Sequence, residues 1–375
     1  MVLAAASPII GRVRPTIPAT ILSLGHARSA ARRSRNFREA DRLRDDIEAA
    51  GYRVVDRGGD FLILPAHPAD IVEEDGRVRY GWSGAVPSHL GDPPTAVATL
   101  VIVAEGGAEP LRRTLAGLRT HAPDGTQVVI VAPPDDALEA DLTPDDLLSP
   151  IAGAPPDVVH TAKAFRPAAA RNAGARPARG AVLAWLAAGA TVSGDVVSPL
   201  VATLADPTVA VAGAVGLVAA DIRRFSAGPA GDVDAIDRVL LAFRRDEVGI
   251  MGTLDERFFG DEQLDRWWSL VLRDGPDLPE EDTDGGADVA PEARDADPDV
   301  AEDDGADPDA DDLEPYVARR AIALDLPIDP VGAIPLAPEP AHEGEAGRRR
   351  KRDLYRLIDR FTGRPDLLRP PSAEG

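Results

Sequence analysis

The sequence has no cysteine among its 375 residues, which excludes disulfide scaffolds, thiolate metal sites and cysteine nucleophiles. Aromatic residues make up only 4% of the chain, and its six histidines never occur as His-x-His or His-x3-His. A zinc site built from histidines is therefore not expected. Apolar residues nevertheless reach 44%, which is enough for a sizeable core.

Long hydrophobic runs are also missing. The longest uncharged stretch, residues 180–194, has 15 residues, whereas a membrane-spanning helix needs about 20. The apolar segment at residues 1–10 is short and lacks a basic flank before it, so it does not predict a signal peptide. We expect a cytoplasmic chain, with peripheral contact to a membrane surface as the alternative.

The net charge of -22 is concentrated in one segment. Residues 274–314 contain nineteen Asp and Glu against one Arg, so the remainder of the chain is close to neutral. A segment of Asp, Ala, Pro and Gly cannot bury enough apolar surface to offset its conformational entropy. We expect residues 276–314 to be a disordered acidic tract that acts as a solvated spacer or binds a basic partner.

Composition and hydrophobic pattern predict the domains. Apolar residues at helical spacing predict one helix over residues 27–50, followed by a β-hairpin that turns at Gly58-Gly59. The predicted domains are listed here in chain order: an irregular N-terminus (1–25), a helix and hairpin module (26–65), a linker (66–96), a large folded domain (97–275), the acidic tract (276–314), and a C-terminal tail (315–375) with a basic amphipathic helix (348–362).

The large domain contains four continuous apolar runs of strand length, at residues 99–104, 128–132, 181–186 and 209–215. Strands that are apolar on both faces are typical of a parallel sheet covered by helices. Helices are predicted between them, near residues 109–121, 167–179 and 195–205. The predicted fold class is α/β, with a mostly parallel sheet and helices on both faces.

Two motifs inside this domain carry a resemblance. Ala170-Arg171-Asn172-Ala173-Gly174 is followed by Ala178-Arg179-Gly180 and an apolar strand, and Gly252 to Glu262 lies about 80 residues downstream of the first motif. This order resembles family 2 glycosyltransferases over residues 97–275, about half of the chain. The resemblance implies a GT-A-like fold, a nucleotide-sugar donor, and transfer of the sugar to a hydroxyl of an acceptor glycan or lipid.

The resemblance also implies site residues. It places Arg171, Asn172 and Gly174 at the donor, and Asp261 and Glu262 in the acidic pair that holds the general base. Aligned on Phe258-Phe259-Gly260, the base position falls on Glu262. From spacing alone, the alternatives are a surface arginine, a helix-terminal asparagine, and an acidic pair at a helix N-terminus.

The expected metal site is altered. The family carries Asp-x-Asp after its central strand to hold Mg²⁺ or Mn²⁺, whereas this chain has Ala187-Ala188-Gly189. No substitute oxygen ligands are evident nearby, so we expect no metal and no other cofactor. Two functions therefore stay open: a glycosyltransferase, and a non-catalytic protein that retains the fold for binding or scaffolding.

Both ends of the chain allow further interpretations. Residues 30–56 are similar to the C-terminal small domain of cysteinyl-tRNA synthetases, which implies an RNA-associated adaptor or a reused packing module. Residues 28–53 hold eight Arg against five acids, which is too little positive charge to predict nucleic acid as a partner. The basic helix at 348–362 is predicted to dock on an anionic membrane, on a partner, or on the acidic tract.

Overall fold

The computed structural model describes residues 17–57, 60–276, 318–330 and 344–368. The chain divides into an N-terminal unit, Met1–Ala85, and a C-terminal unit, Val86–Gly375. The described helices are α1 (Ala19–Arg33), α2 (Phe37–Ala49), α3 (Ala108–His121), α4 (Asp136–Asp141), α5 (Pro144–Leu148), α6 (Pro167–Ala175), α7 (Val197–Leu204), α8 (Glu247–Met251), α9 (Asp261–Asp274) and α10 (Gly344–Phe361).

The described strands are β1 (Tyr52–Arg57), β2 (Asp60–Pro65), β3 (Ile71–Val72), β4 (Val78–Tyr80), β5 (Ala96–Val103), β6 (Thr126–Ala132), β7 (Asp157–Thr161), β8 (Gly180–Leu186), β9 (Thr191–Val192), β10 (Val209–Gly213), β11 (Gly216–Asp221), β12 (Arg224–Ala227), β13 (Gly231–Val233), β14 (Ala235–Ile236), β15 (Leu240–Arg244), β16 (Arg320–Ala323) and β17 (Ile328–Asp329). Two short 3₁₀ helices cover Ser83–Ala85 and Pro365–Leu367.

The N-terminal unit corrects the prediction of a single helix over residues 27–50. Helices α1 and α2 are separate because the chain turns at Arg35, whose φ is +58°. The Asn36 side chain then accepts a hydrogen bond from the backbone N–H of Glu39 and begins α2. Helix α1 starts at Ala19, inside the segment predicted to be irregular. The antiparallel hairpin β1–β2 follows as predicted, while its tip at Gly58-Gly59 lies outside the described residues.

The C-terminal unit is built on a sheet whose described strands run in the order β13-β16-β10-β15-β8-β5-β6-β7. Strands β8, β5, β6 and β7 are mutually parallel. The segment at Leu240–Arg244 was not predicted to be a strand; it forms β15, which pairs antiparallel with both β8 and β10. The predicted fold class, a mostly parallel α/β sheet flanked by helices, is confirmed.

Helices cover the two faces of this sheet. On one face, Leu100 and Ile102 of β5 share a fully buried core with Leu111 and Leu115 of α3. On the other face, α6 approaches so closely that a Cβ added at Gly174 would lie 2.3 Å from the Val101 side chain. Because successive strand residues point to opposite faces, Val101 and Val103 of the same strand are directed to the side of α6.

A polar network joins the amino ends of the parallel strands; we name Thr99, Gln127, Asp157 and Arg179 the amino-end cluster. The Gln127 amide nitrogen donates to Asp157 at 2.7 Å and to the Pro177 carbonyl at 3.0 Å. Its amide oxygen accepts from the Thr99 hydroxyl and from the Arg179 backbone N–H, each at 2.7 Å. Gln127 is thus fully hydrogen-bonded inside the protein.

Several predictions concern segments that the structure describes only in part. The acidic tract, apart from Pro276, lies outside the described residues. The predicted C-terminal helix at 348–362 corresponds to α10, which begins at Gly344 and ends at Phe361. Over the described ranges, helices fall short of the length and apolarity required to cross a bilayer.

Candidate functional site

A cleft lies at the carboxyl ends of β5 and β8, where the first turns of α6 and α9 meet the sheet. It is open to solvent and has a cavity volume of about 80 Å³. The lining residues are Val101, Val103, Glu105, Pro167, Arg171, Trp185, Leu186, Ala187, Ala188, Arg238 and Asp261. In open α/β sheets, ligands bind in crevices at this edge of the strands.

Arg171 of α6 is a buried arginine in the lining of the cleft. Its guanidinium donates to Asp265 and, over 2.8 Å, to Asp261, both on α9. The side chain is only 7% exposed, and its guanidinium carbon lies 5.2 Å from the ring centre of Trp185. Asp261 and Asp265 are four residues apart on a helix, so both carboxylates face the same arginine.

Arg238 supplies the second positive charge of the cleft. It precedes β15 and donates to the other Asp261 oxygen at 3.1 Å. Asp261 therefore bridges two arginines, one through each carboxylate oxygen. We name Arg171, Arg238, Asp261 and Asp265 the carboxyl-end cluster.

The acids around this cluster are held in an environment that favours protonation. Burial raises the pKa of Asp265 to about 7, with Asp261 and Asp237 adding to the effect against the opposing charge of Arg171. Burial also raises the pKa of Asp237. For Glu105, loss of hydration raises the pKa and Asp261 raises it further. Burial opposes the charge on Arg171, but Asp265 and Asp261 raise its pKa. Perturbed acids in a cleft are typical of functional sites.

Two of the predicted donor residues are placed inside the protein. The Asn172 side chain donates to the Leu254 carbonyl at 2.9 Å and accepts from the Leu254 backbone N–H at 3.0 Å. It therefore ties α6 to the loop before α9. Gly174 allows α6 to pack on β5 and β6, because an added Cβ would collide with Val101 and Val131. Neither residue lines the cleft, whereas Arg171 does.

The predicted acidic pair is split by the structure. Asp261 lines the cleft, but Glu262 does not. Glu262 is 36% exposed and pairs with Arg266 at 2.8 Å and with Arg350 of α10. Glu262 is thus engaged by the C-terminal helix.

Helix α10 packs along α9. Its Asp353 is buried and accepts hydrogen bonds from the backbone N–H groups of Phe259 and Gly260, both at 2.9 Å, directly before α9 begins. Leu357 and Phe361 of its apolar stripe are buried, so they are not available to a bilayer. The exposed basic side chains of α10 still favour contact with an anionic membrane, whereas the buried apolar residues do not. Membrane contact therefore stays a prediction.

The tryptophan pair of α9 divides between core and surface. Trp268 is buried and lies against Phe243 and Trp185, with ring centres 5.5 and 6.1 Å away. Trp267 is half-buried and contacts Phe258. Neither ring lines the cleft, so stacking on a sugar is not indicated here.

The residues of this cleft differ from the metal-binding carboxylates that the resemblance implies. Ala187 and Ala188 line it at the position where the resemblance implies metal-binding carboxylates. Asp261 already uses one oxygen for Arg171 and the other for Arg238. Across the described ranges no group of three or more His, Asp or Glu side chains could hold a metal ion.

Comparison with known families bears on this unit. Residues 99–244 match the family model described as Glycosyl transferase family 2. The match supports a glycosyltransferase-like domain of the predicted GT-A type. It ends before Asp261 and Glu262, and it begins after the segment similar to the cysteinyl-tRNA synthetase domain, so that second resemblance stays a prediction.

The chain is also similar to solved glycosyltransferases. GalNAc-T7 with UDP, GalNAc and Mn²⁺ is 18% identical, with a TM-score of 0.41 over 48% of this chain and 41% of that one. The mannosyltransferase PcManGT from Pyrobaculum calidifontis, in complex with GDP-Man and Mn²⁺, is 18% identical, with a TM-score of 0.37 over 52% and 55%. TarS 1–349 from S. aureus is 11% identical, with a TM-score of 0.36 over 47% and 55%.

The aligned part thus spans about half the length of these solved structures. None of the curated proteins compared with the chain matches it significantly.

Sequence reasoning missed Glu105, Arg238 and Asp265. Glu105 directly follows a predicted parallel strand and precedes Gly106-Gly107, where both φ angles are positive, so its position at a strand end was a usable signal. Asp265 stands four residues after Asp261, a spacing that places both on one helix face. Arg238 had no local signal, because an antiparallel strand outside the predicted set carries it to the cleft.

Proposed function

We propose that this protein transfers a sugar from a nucleotide-sugar donor to a hydroxyl of an acceptor glycan or lipid. One observation carries the proposal: a cleft with two arginines and two carboxylates lies at the carboxyl ends of parallel strands, and these strands belong to the segment that matches family 2 glycosyltransferases. Arginine suits the phosphate groups of such a donor, because its planar guanidinium forms paired hydrogen bonds with phosphate oxygens.

In the proposed reaction the acceptor oxygen forms a bond to the anomeric carbon, while the bond from that carbon to the diphosphate oxygen breaks. The proton of the acceptor hydroxyl passes to a carboxylate, and the nucleoside diphosphate leaves. A general base must come within about 3 Å of that hydroxyl. The alignment on Phe258-Phe259-Gly260 favours Glu262 as the base. However, Asp261 lines the cleft and Glu262 does not, so we assign the base to Asp261.

The adjacent acids form a matched pair of variants for testing this function. Asp261→Asn keeps the shape of the side chain and, through its amide oxygen, one of the two arginine contacts, but it removes the base, so we expect sugar transfer to fall at least about 100-fold. Glu262→Gln, at a residue outside the cleft, should change transfer less than about threefold. Radiolabelled UDP-, GDP- and dTDP-sugars with a panel of glycan and lipid acceptors provide the assay.

The outcome of this assay separates the two candidate bases. A large loss in Glu262→Gln, with activity retained in Asp261→Asn, would return the base to Glu262. Thermal unfolding of both variants shows whether an activity loss arises from lost structure.

A second candidate function is non-catalytic binding. It is favoured by Ala187 and Ala188 in the cleft and by the complete internal pairing of Arg171. Under this function the protein binds a nucleotide sugar or another phosphorylated ligand without turning it over. Binding by the wild-type protein, without transfer to any acceptor and with neither variant altering the outcome, would select it.

A further inference from the structure

The two arginines of the cleft differ in their freedom to bind a ligand. Arg171 is 7% exposed and is held by Asp265 and Asp261 from one helix. Arg238 is 28% exposed. In the described part of the chain, Asp261 is the one side chain that accepts a hydrogen bond from it, at 3.1 Å. Removing Arg171 from its carboxylates would leave buried charges unpaired, which is costly. Arg238 can exchange its partner at much lower cost.

The backbone places Arg238 beside the altered metal position. Leu240 of β15 pairs with Leu186 of β8 in antiparallel register. The ladder continues beyond the strand ends, because the Ala187 N–H donates to the Val239 carbonyl at 3.1 Å. The backbone segment that carries Arg238 therefore runs beside the segment that carries Ala187 and Ala188. All three residues line the cleft.

We propose that Arg238 binds the diphosphate of the donor directly, exchanging Asp261 for phosphate oxygens, so that donor binding needs no divalent cation. This inference rests on the proposed function and goes beyond it, since it assigns to Arg238 the contact with the donor that the resemblance implies for Arg171. Arg171 then acts as a positioning residue that fixes Asp261 and Asp265.

The exchange has a consequence for Asp261. One of its oxygens stays bound to Arg171 at 2.8 Å, while the oxygen that accepted from Arg238 loses its guanidinium partner. Asp261 lines the same cleft. A carboxylate oxygen thus becomes free to accept a proton only after a diphosphate has taken Arg238, which links binding of the donor to activation of the proposed base.

The charge of the cleft permits such an exchange. Its lining holds two arginines, Arg171 and Arg238, and two acids, Glu105 and Asp261. Burial raises the pKa of Glu105, so this carboxyl takes up a proton more readily than an ordinary glutamate when an anion approaches. The guanidinium of Arg238 then faces the phosphates of a dianionic ligand.

Inorganic pyrophosphate is the probe for this inference, titrated calorimetrically into the full chain at neutral pH with EDTA present. We expect the wild-type protein to bind it and Arg238→Gln to bind it at least about tenfold more weakly, because charge-assisted hydrogen bonds are lost. Arg238→Lys should show an intermediate affinity, since it keeps the charge without the fork. Arg257→Gln is the matched control, because Arg257 is 72% exposed, pairs with Asp255 at 2.8 Å and lies outside the cleft lining.

Unchanged affinity in Arg238→Gln, binding that requires Mn²⁺, or no binding to the wild-type protein would each overturn the inference. Sugar transfer by the wild-type protein separates it from the proposed function. Pyrophosphate binding through Arg238 without any transfer would reject the proposed function and retain the inference. Sugar transfer that depends on Mn²⁺ and does not change in Arg238→Gln would retain the proposed function and reject the inference.

Discussion

The amino-end cluster and the carboxyl-end cluster lie at opposite ends of the same parallel strands, and they differ in how their polar groups are hydrogen-bonded. At the amino ends, Gln127 connects Thr99, Asp157 and Arg179 through hydrogen bonds of 2.7 Å. At the carboxyl ends, Asp261 bridges two arginines, and one Asp265 oxygen is buried without a hydrogen-bond partner among the described residues.

This difference separates a structural network from a candidate functional one. A network whose members are all satisfied has one stable arrangement and stabilises the strand ends. A cluster in which burial raises the pKa of Asp265 and one arginine is 28% exposed retains groups that can change partner or protonation state. The comparison predicts that changes at the amino ends affect stability, while changes at the carboxyl ends affect ligand binding and the dependence on pH.

The largest expected effect on stability is that of Gln127→Leu. It removes the acceptor of the Thr99 hydroxyl and of the Arg179 backbone N–H and the side-chain donor to the Pro177 carbonyl, and each buried unsatisfied group costs about 1–3 kcal/mol. Asp157 is 40% exposed and keeps the Arg179 guanidinium at 2.8 Å. We expect the free energy of unfolding in urea to fall by about 3 kcal/mol. Pyrophosphate affinity of the folded variant should stay within about twofold of the wild-type value, and a larger loss would erase the distinction between the two clusters.

A smaller effect is expected from the titration of Asp265. Burial raises its pKa in the folded protein to about 7, above the ordinary value of 3.8 for an aspartate. The unfolded chain therefore loses this proton first as pH rises, so the group's contribution to stability is complete below about pH 4 and is lost between about pH 4 and 7. Asp265→Asn should remove most of this decrease in the free energy of unfolding.

Urea unfolding at a series of pH values compares Asp265→Asn with the wild-type protein. Parallel profiles for the two proteins would show that Asp265 is ionised in the folded state throughout this range. The carboxyl-end cluster would then keep one protonation state over this pH range, like the amino-end cluster.

The smallest effect is expected from Arg350→Gln. Arg350 and Glu262 are 34% and 36% exposed, and ion pairs at such positions contribute less than about 1 kcal/mol. Because Glu262 does not line the cleft, transfer activity should change less than about twofold. An activity increase of tenfold or more would show that α10 restrains an active Glu262, which would move the functional centre away from Asp261.

The sequence predicts the sheet better than the cleft. Apolar runs at residues 99–104 and 181–186 mark β5 and β8 because a strand covered on both faces must be apolar throughout. The cleft, by contrast, depends on pairings distant in sequence, such as Arg171 with Asp265. The motif identified Arg171 and Asp261 as important, but the spacing of a motif does not show whether an arginine is already neutralised.

Helix α10 could not be placed from the sequence for a similar reason. Its apolar stripe fits a bilayer, a partner and an intramolecular contact equally well. The buried hydrogen bonds of Asp353 to Phe259 and Gly260 show the intramolecular contact.

The most direct test of the central claim is a calorimetric titration of the full-length protein with UDP-, GDP- and dTDP-sugars in the presence of EDTA. The account predicts that one of these donors binds without a metal and that Arg238→Gln weakens this binding at least about tenfold. Absence of binding by every donor until Mn²⁺ is added, or equal binding by the wild-type protein and Arg238→Gln, would contradict it.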